Sequence, residues 1–190
     1  RVVVHAHADY AARAAARAGC DQVEHGLFAT DATLHALAAS HTWFDPQCAL
    51  VFDNYARHRA AFEHIAGYEA STFEWLARMA PLALAVTTKA LRTPGLNVPY
   101  GTDAVAGAIG RNADDLVCRV QRAGQRPIDA LRSATSVAAE SLGLGAEIGR
   151  IAPGMRADII ALAGDPLSEI RAVQRVVWVM KAGRVYTPRP

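Results

Sequence analysis

Arg1-Val-Val-Val-His5-Ala-His7 reads as an apolar strand that closes on two histidines. Two later runs repeat the form: Gln22-Val-Glu-His25-Gly26 and Val98-Pro-Tyr-Gly-Thr-Asp103. Each is an apolar stretch ending on a residue able to bind a metal. In parallel α/β architectures the carboxyl ends of different strands converge on one mouth, where sites are built. The segments between them support that architecture. Asp9 to Ala18 is rich in alanine and arginine, a strong helix former stopped by Gly19. Asp31 can cap a helix running to about Ser40, followed by a third strand at Thr42 to Phe44 that closes on Asp45-Pro46. The alternation of strand and helix predicts a parallel sheet.

From Asn54 to Leu96 the spacing changes. Two helices are predicted, Asn54 to Ile65 and Ala70 to Leu91, separated by Gly67 and halted by Pro94-Gly95. An insertion of this length after a strand hangs over the mouth of a barrel, so it is expected to act as a lid or a substrate wall. A fourth strand is predicted at Asn97 to Gly101, then helices over Ala113 to Ala123 and from Pro127 to Ser141. Past Gly145 the pattern becomes all-β: Ile148 to Ala152, Asp158 to Leu162, Val173 to Lys181 and Arg184 to Tyr186, the last two around an Ala182-Gly183 turn. The fold class expected is α/β. Four parallel strands amount to half of an eight-stranded barrel, which needs about 250 residues. Residues 1–145 are read as the partial barrel and 146–190 as a carboxyl-terminal β portion.

Composition bounds the function. The chain has 190 residues, 52% of them hydrophobic, enough to bury a sizeable core, and its net charge of +2 is nearly balanced. Basic residues are spread over several helices (Arg13, Arg17, Arg57, Arg59, Arg119, Arg122), without the stripe that nucleic acid or an anionic membrane would need. No run of about eighteen apolar residues suggests a membrane span. Three widely spaced cysteines (Cys20, Cys48, Cys118) do not resemble a disulfide framework and are expected to be reduced and partly buried. No signal segment is legible after Arg1, but the chain opens directly on a strand without an initiator Met, so localisation is left open with the cytoplasm favoured.

His5 and His7 are two apart on a strand, so both imidazoles project from one face. An isolated His-x-His is better explained by a core histidine bonded to a backbone carbonyl. His25 at a second strand end, and Asp103 at a further one, favour a site. A terminal carboxylate there is either a costly unpaired charge or a ligand and base. Imidazoles and a carboxylate suit Zn²⁺ or a similar divalent ion, which acidifies water and polarises a carbonyl. Asp103 can then move a proton from water to a leaving amine, which describes hydrolysis of an amide or cyclic amide. Asp45-Pro46-Gln47 at the third strand end and Asn54-Tyr55 are candidates for the pocket lining, although Asp45 before Pro46 also suits an ordinary turn. His35, His41, His58 and His64 fall in helix or loop context, and Trp43, Trp75 and Trp178 are read as core or interface residues.

These runs, together with Ala134-Thr-Ser-Val-Ala-Ala-Glu-Ser-Leu-Gly143 and Gly149-Arg-Ile-Ala-Pro-Gly154-Met-Arg-Ala-Asp158, resemble the amidohydrolase superfamily. The branch is the one that holds imidazolonepropionase-like and Xaa-Pro dipeptidase-like enzymes. The resemblance implies strands five to eight of a TIM-type (β/α)8 barrel, followed by part of a small β-sandwich. It also implies that His5 and His25 are metal ligands, that Asp103 is ligand and general base, and that His7 is a polar substrate contact. The implied cofactor is one or two divalent ions, Zn²⁺ foremost. The implied partner is a small-molecule substrate with a C–N bond to break, and a homo-oligomer is possible. The superfamily's strand-one His-x-His and strand-four lysine have no counterpart here, since Lys89 and Lys181 do not stand at barrel strand ends. The isolated chain is therefore expected to be inactive and prone to self-association. The alternative is a non-catalytic barrel fragment or binding module with an incomplete metal shell.

Overall fold

A computed structural model describes residues 1–186. Its first half is a parallel sheet in the order β1 (Val3–Ala6), β2 (Gln22–His25), β3 (Trp43–Asp45). The register pairs His5 with Glu24 and Ala6 with His25, which brings the ends of the first two strands level. Helix α1 (Asp9–Arg17) follows β1, and α2 (Asp31–Ala39) follows β2. Val23 and Phe44 from the sheet meet Leu34 and Leu37 of α2 and Ala12, Ala15 and Ala16 of α1 in the main core. The start of α2 is pinned from a distance. Asp9 accepts hydrogen bonds from the Thr30 amide (2.8 Å), the Thr33 hydroxyl (2.6 Å) and the Arg13 guanidinium (2.7 Å). Thr30 in turn caps the helix through the Thr33 amide.

The long insertion forms α3 (Leu50–Arg57), a single turn α4 (Arg59–Phe62), and the 23-residue α5 (Ala70–Arg92). The predicted helix over Asn54 to Ile65 thus starts earlier and breaks at His58. Toward its carboxyl end α5 packs Val86 and Ala90 into the core, with Pro81 inside the helix.

The fourth predicted strand, Asn97 to Gly101, is not a strand. Phe44 N–H still donates to the Asn97 carbonyl, so the segment starts beside β3. The ladder then fails. Pro99 has no N–H, the Tyr100 amide turns to the Ser133 carbonyl, and the Gly101 amide is taken by the side chain of Asp45 (3.0 Å). Among the described residues the parallel sheet has three strands.

Helices α6 (Ala113–Gln121), α7 (Pro127–Arg132) and α8 (Ala138–Ser141) follow, with a π turn at Ser133–Val137 between the last two. The remaining strands, β4 (Ile159–Leu162), β5 (Val176–Lys181) and β6 (Arg184–Tyr186), make a separate antiparallel sheet. Ala182 and Gly183 both take positive φ in the β5–β6 turn, as a two-residue hairpin requires. Residues 148–152 are not a strand, because the backbone at Gly149 lies against the π turn where a Cβ would strike Ala139 and Ser136. The start expected for β5 at Val173 is taken by a 3₁₀ turn, Ile170–Gln174, whose Ile170 packs on Leu116, Val117 and Ala130.

The expectation for the cysteines is overturned. Cys48 and Cys118 form a disulfide with Cα atoms 6.1 Å apart, across 70 positions of sequence, and only Cys20 is free. Spacing could not reveal the pair, because it depends on α6 packing against the segment that opens α3. Asp115 makes that packing specific: fully buried, it accepts the backbone amides of Cys48, Ala49 and Leu50 at 2.6–2.9 Å.

Candidate active site

His5 lies in β1, His7 just beyond it, and His25 at the end of β2. Their rings form a triangle with centroids 4.4 Å (His5–His25), 4.8 Å (His5–His7) and 4.8 Å (His7–His25) apart. One ring nitrogen from each lies within 4.8 Å of the others, close enough for a shared ion. Asp103 borders the same cavity and is the fourth polar group there that can bind a cation. The carboxylate stands outside that tightest group.

Backbone strain marks both His25 and Asp103. His25 has φ 68° and Asp103 φ 46°, the left-handed region that side-chain-bearing residues rarely occupy. Such strain costs roughly 1–3 kcal/mol per residue and clusters at ligand sites. After His25 the chain must turn again at Gly26 (φ 54°), where a Cβ would fall inside the Phe44 ring. The Gly following the histidine is thus demanded by close packing as well as by φ.

The tautomer of His25 follows from Gln47. The Gln47 amide NH₂ donates to the Asp45 carbonyl (3.0 Å) and to Glu24 Oε2 (3.3 Å), so its Oε1 faces His25 Nδ1 at 2.6 Å and must accept from it. His25 Nε2 keeps its lone pair for a ligand, the arrangement by which an outer partner orients a metal-binding imidazole. Burial, reinforced by the neighbouring His25 and His5 rings and opposed by Asp103, holds His7 below the ordinary histidine value. Its Nδ1 is buried and has no partner. Closely grouped imidazoles, one of them with an unpaired buried nitrogen, fit a divalent cation.

Behind the mouth, Asp45 and Arg119 form a buried ion pair (3.2 Å), and Arg119 is 0% exposed. The same guanidinium donates to the Pro46 carbonyl and stacks over Tyr100. Burial lifts the Asp45 carboxyl to about 7 in spite of Arg119. Asp45 occupies the space that a Cβ on residue 101 would need, so only glycine lets the segment leading to Asp103 approach. Neither Asp45 nor Asn54, whose amide donates to the Ala106 carbonyl, is among the residues that line the cavity. Arg119, read from sequence as one of several basic residues scattered over helices, is the fully buried counter-ion of Asp45. Nothing local distinguishes it from Arg122, since the difference is tertiary.

The cavity, of about 140 Å³, is closed on its other side by Leu27, by Val51 and Phe52 of α3, and by Trp75, Leu76 and Ala83 of α5. The long insertion thus supplies a wall, as its position after a strand suggested, and Trp75 belongs to that wall. Gln47 borders the cavity; Tyr55 does not. The Tyr55 hydroxyl is engaged by Tyr68 (3.0 Å), and burial together with that bond raises it to about 12. His35, His41, His58 and His64 are not among the lining residues. A second group with metal-binding side chains, Cys48, Asp115 and Cys118, is already used by the disulfide and the helix cap.

Comparison with known proteins identifies the family of the chain. A curated relative, ochratoxinase of Aspergillus niger, is 27% identical over 189 residues, covering 97% of this chain and 38% of the relative. A prolidase complexed with N-methylphosphonate-L-proline is 27% identical with a TM-score of 0.86, over 99% of this chain and 45% of that structure. A Xaa-Pro dipeptidase with bound methionine in the active site is 27% identical with a TM-score of 0.84, over 98% and 44%. The chain spans less than half the length of each of these relatives. The profile of the amidohydrolase family matches residues 1–186, and the chain belongs to that family, in the branch whose members include Xaa-Pro dipeptidases and prolidases.

Proposed function

We propose that this chain is the carboxyl-terminal part of a metal-dependent amidohydrolase, contributing part of the second half of a (β/α)8 barrel, with three of its strands formed as β1 to β3 and Asn97 to Gly101 in the place of the fourth, and a portion of a β-sandwich, with residues 1–145 and 146–190 as the two parts. The observation that carries the reading is the convergence of His5, His7 and His25 within 4.8 Å at a mouth that Asp103 also borders. His5 and His25 would hold a divalent ion, Zn²⁺ by donor chemistry, with Asp103 reaching toward it. His7, expected from sequence to touch substrate, stands close enough to be a third imidazole donor. Held there, the ion supplies Lewis-acid chemistry, acidifying water and polarising a carbonyl.

The chain's own residues do the rest. Gln47 fixes the His25 tautomer, and Asp103 accepts a proton from the attacking water and returns it to the leaving nitrogen as the C–N bond breaks. The substrate is a small molecule with an amide, cyclic amide or dipeptide-like bond. The hydrolase names of the relatives support this class. The exposed face of His5 supports a further point: this chain alone closes only one side of the ion, so by itself it binds metal weakly and turns over poorly. No helix among the described residues is long and apolar enough to cross a membrane. The Cys48–Cys118 bond favours an oxidising compartment over the cytoplasm expected from sequence.

The test is metal analysis and amide hydrolysis by the full-length protein with Asp103→Asn. Loss of about 100-fold or more in kcat with the metal largely retained supports the base. Unchanged turnover removes Asp103 from the role. Metal content unaffected by His25→Ala removes the centre altogether.

A further inference from the structure

Arginines that lie far apart in the sequence are gathered by the fold into a second cleft. Arg57 at the end of α3, Arg111 before α6, Arg122 just after it and Arg171 in the 3₁₀ turn line it, together with the carboxylates of Asp53 and Asp114. Arginine does not deprotonate in proteins, so four guanidiniums against two carboxylates leave an excess of two positive charges. The carboxylates are not evenly shared. Arg111 holds Asp114 Oδ2 through two nitrogens (3.0 and 2.8 Å), and Gln174 donates to the other oxygen (2.7 Å). Arg122 approaches Asp53 only to 3.9 Å. Among the described residues Arg57 and Arg171 enter no ion pair, and Arg171 donates to the Gln121 amide oxygen (3.3 Å).

The frame under these arginines is tied together. The Cys48–Cys118 bond joins the entry of α3 to α6, Asp115 clamps the same junction through three backbone amides, and Ile170 seats the 3₁₀ turn on Leu116 and Val117. Leu50, Val117 and Cys118 form the buried floor. Helix α3 stands between the two cavities. Leu50, Asp53 and Arg57, spaced by three and four positions, line this cleft, whereas Val51 and Phe52 line the one that holds the histidines.

A concave surface that carries one sign of charge focuses the field and gathers ions of the other. Guanidiniums pair with oxyanions through parallel N–H bonds. A carboxylate offers a single charge, whereas a phosphate group brings about −1.5 to −2 at neutral pH and three acceptor oxygens. The second of these matches the excess in the cleft.

We infer that this cleft binds a phosphate-type dianion through Arg57 and Arg171, at a site separate from the histidine cluster. The free ion and a phosphate ester share that headgroup.

The test is calorimetric titration of inorganic phosphate, phenyl phosphate and acetate into the full-length protein at about 0.1 M salt. At least one of the two phosphates is expected to bind about tenfold or more tighter than acetate. Tighter binding of phenyl phosphate assigns the site to an ester and tighter binding of phosphate to the free ion; both uphold the site. Arg57→Gln/Arg171→Gln should weaken phosphate binding about tenfold or more. The control Arg17→Gln/Arg184→Gln, with the same loss of charge outside the cleft, and His25→Ala should each leave it within about twofold. All four arginines are exposed, so the variants keep the fold. Equal affinity for acetate and the phosphates, equal weakening in the two double variants, or loss on His25→Ala alone overturns the proposal. Amide cleavage plays no part in the readout, so failure here leaves the hydrolase reading as it stands.

Discussion

The two sheets of this chain draw on the same β-branched and apolar residues and put them to opposite uses. The parallel sheet buries Val23, Phe44 and Ala6 and sets ionisable groups at its carboxyl ends: His5, His25 and Asp45. In the antiparallel sheet no residue of β4, β5 or β6 is fully buried, and the polar contacts are surface ones, such as Lys181 with Asp158. Electrostatics is strong where water is excluded and weak where it is not. The buried Asp45–Arg119 pair lies in the first setting and the solvent-facing hairpin in the second.

That contrast can be broken most directly at Arg119. Arg119→Met leaves Asp45 buried without its cation and is expected to cost about 3–5 kcal/mol in urea unfolding. A loss below about 1 kcal/mol would put the two regions on one footing. Next comes the covalent tie. Replacing Cys48 and Cys118 with serine opens a 70-residue loop and should lower stability by about 2–4 kcal/mol. Reductant should lower the melting temperature of the parent and leave the double variant unaffected.

A smaller effect sharpens the comparison within the parallel half. Asp9, held by Thr33, Thr30 and Arg13, has its carboxyl well below the usual carboxylate range. Its contribution is present above the unfolded value near 3.8 and is lost as pH falls through the depressed folded value. Asp45 has the opposite sign. Raised to about 7, it makes stability decline as pH rises from about 4 to 7. Asp9→Ala should cost about 1 kcal/mol at neutral pH and flatten the acid limb of a melting-temperature profile. An acid limb that keeps its slope in the variant would assign it elsewhere. Smallest of all is Lys181→Ala, whose pair lies in solvent. Its shift in melting temperature should be the least of the series, and a shift rivalling that of Arg119→Met would erase the distinction between the sheets.

The grouping of His5, His7 and His25 at the ends of β1 and β2 was legible because local signals carried it, β-branched runs at β-α spacing, whereas Asp103 borders the same cavity without a strand leading to it. The hairpin at Ala182-Gly183 was legible for the same reason. What sequence could not supply was the result of tertiary contact. The apolar run at Asn97 to Gly101 has the composition of a strand, yet its amides are claimed by Ser133 and by the Asp45 side chain. The burial of Arg119, the cap that Asp115 places on α3 and the joining of Cys48 to Cys118 all depend on where α6 docks. The position of His7 was half legible. The i, i+2 spacing put it beside His5, but the resemblance gave it a different task from the one its distance to His25 allows.

Helix α5 has a double allegiance with a practical outcome. Its carboxyl end, at Val86 and Ala90, is wedged into the central core, while Trp75 and Leu76, more than two turns earlier, look into the cavity, with Pro81 between them. Libraries confined to the segment before Pro81 can therefore retune which molecules enter without loosening the foundation on which the histidines stand.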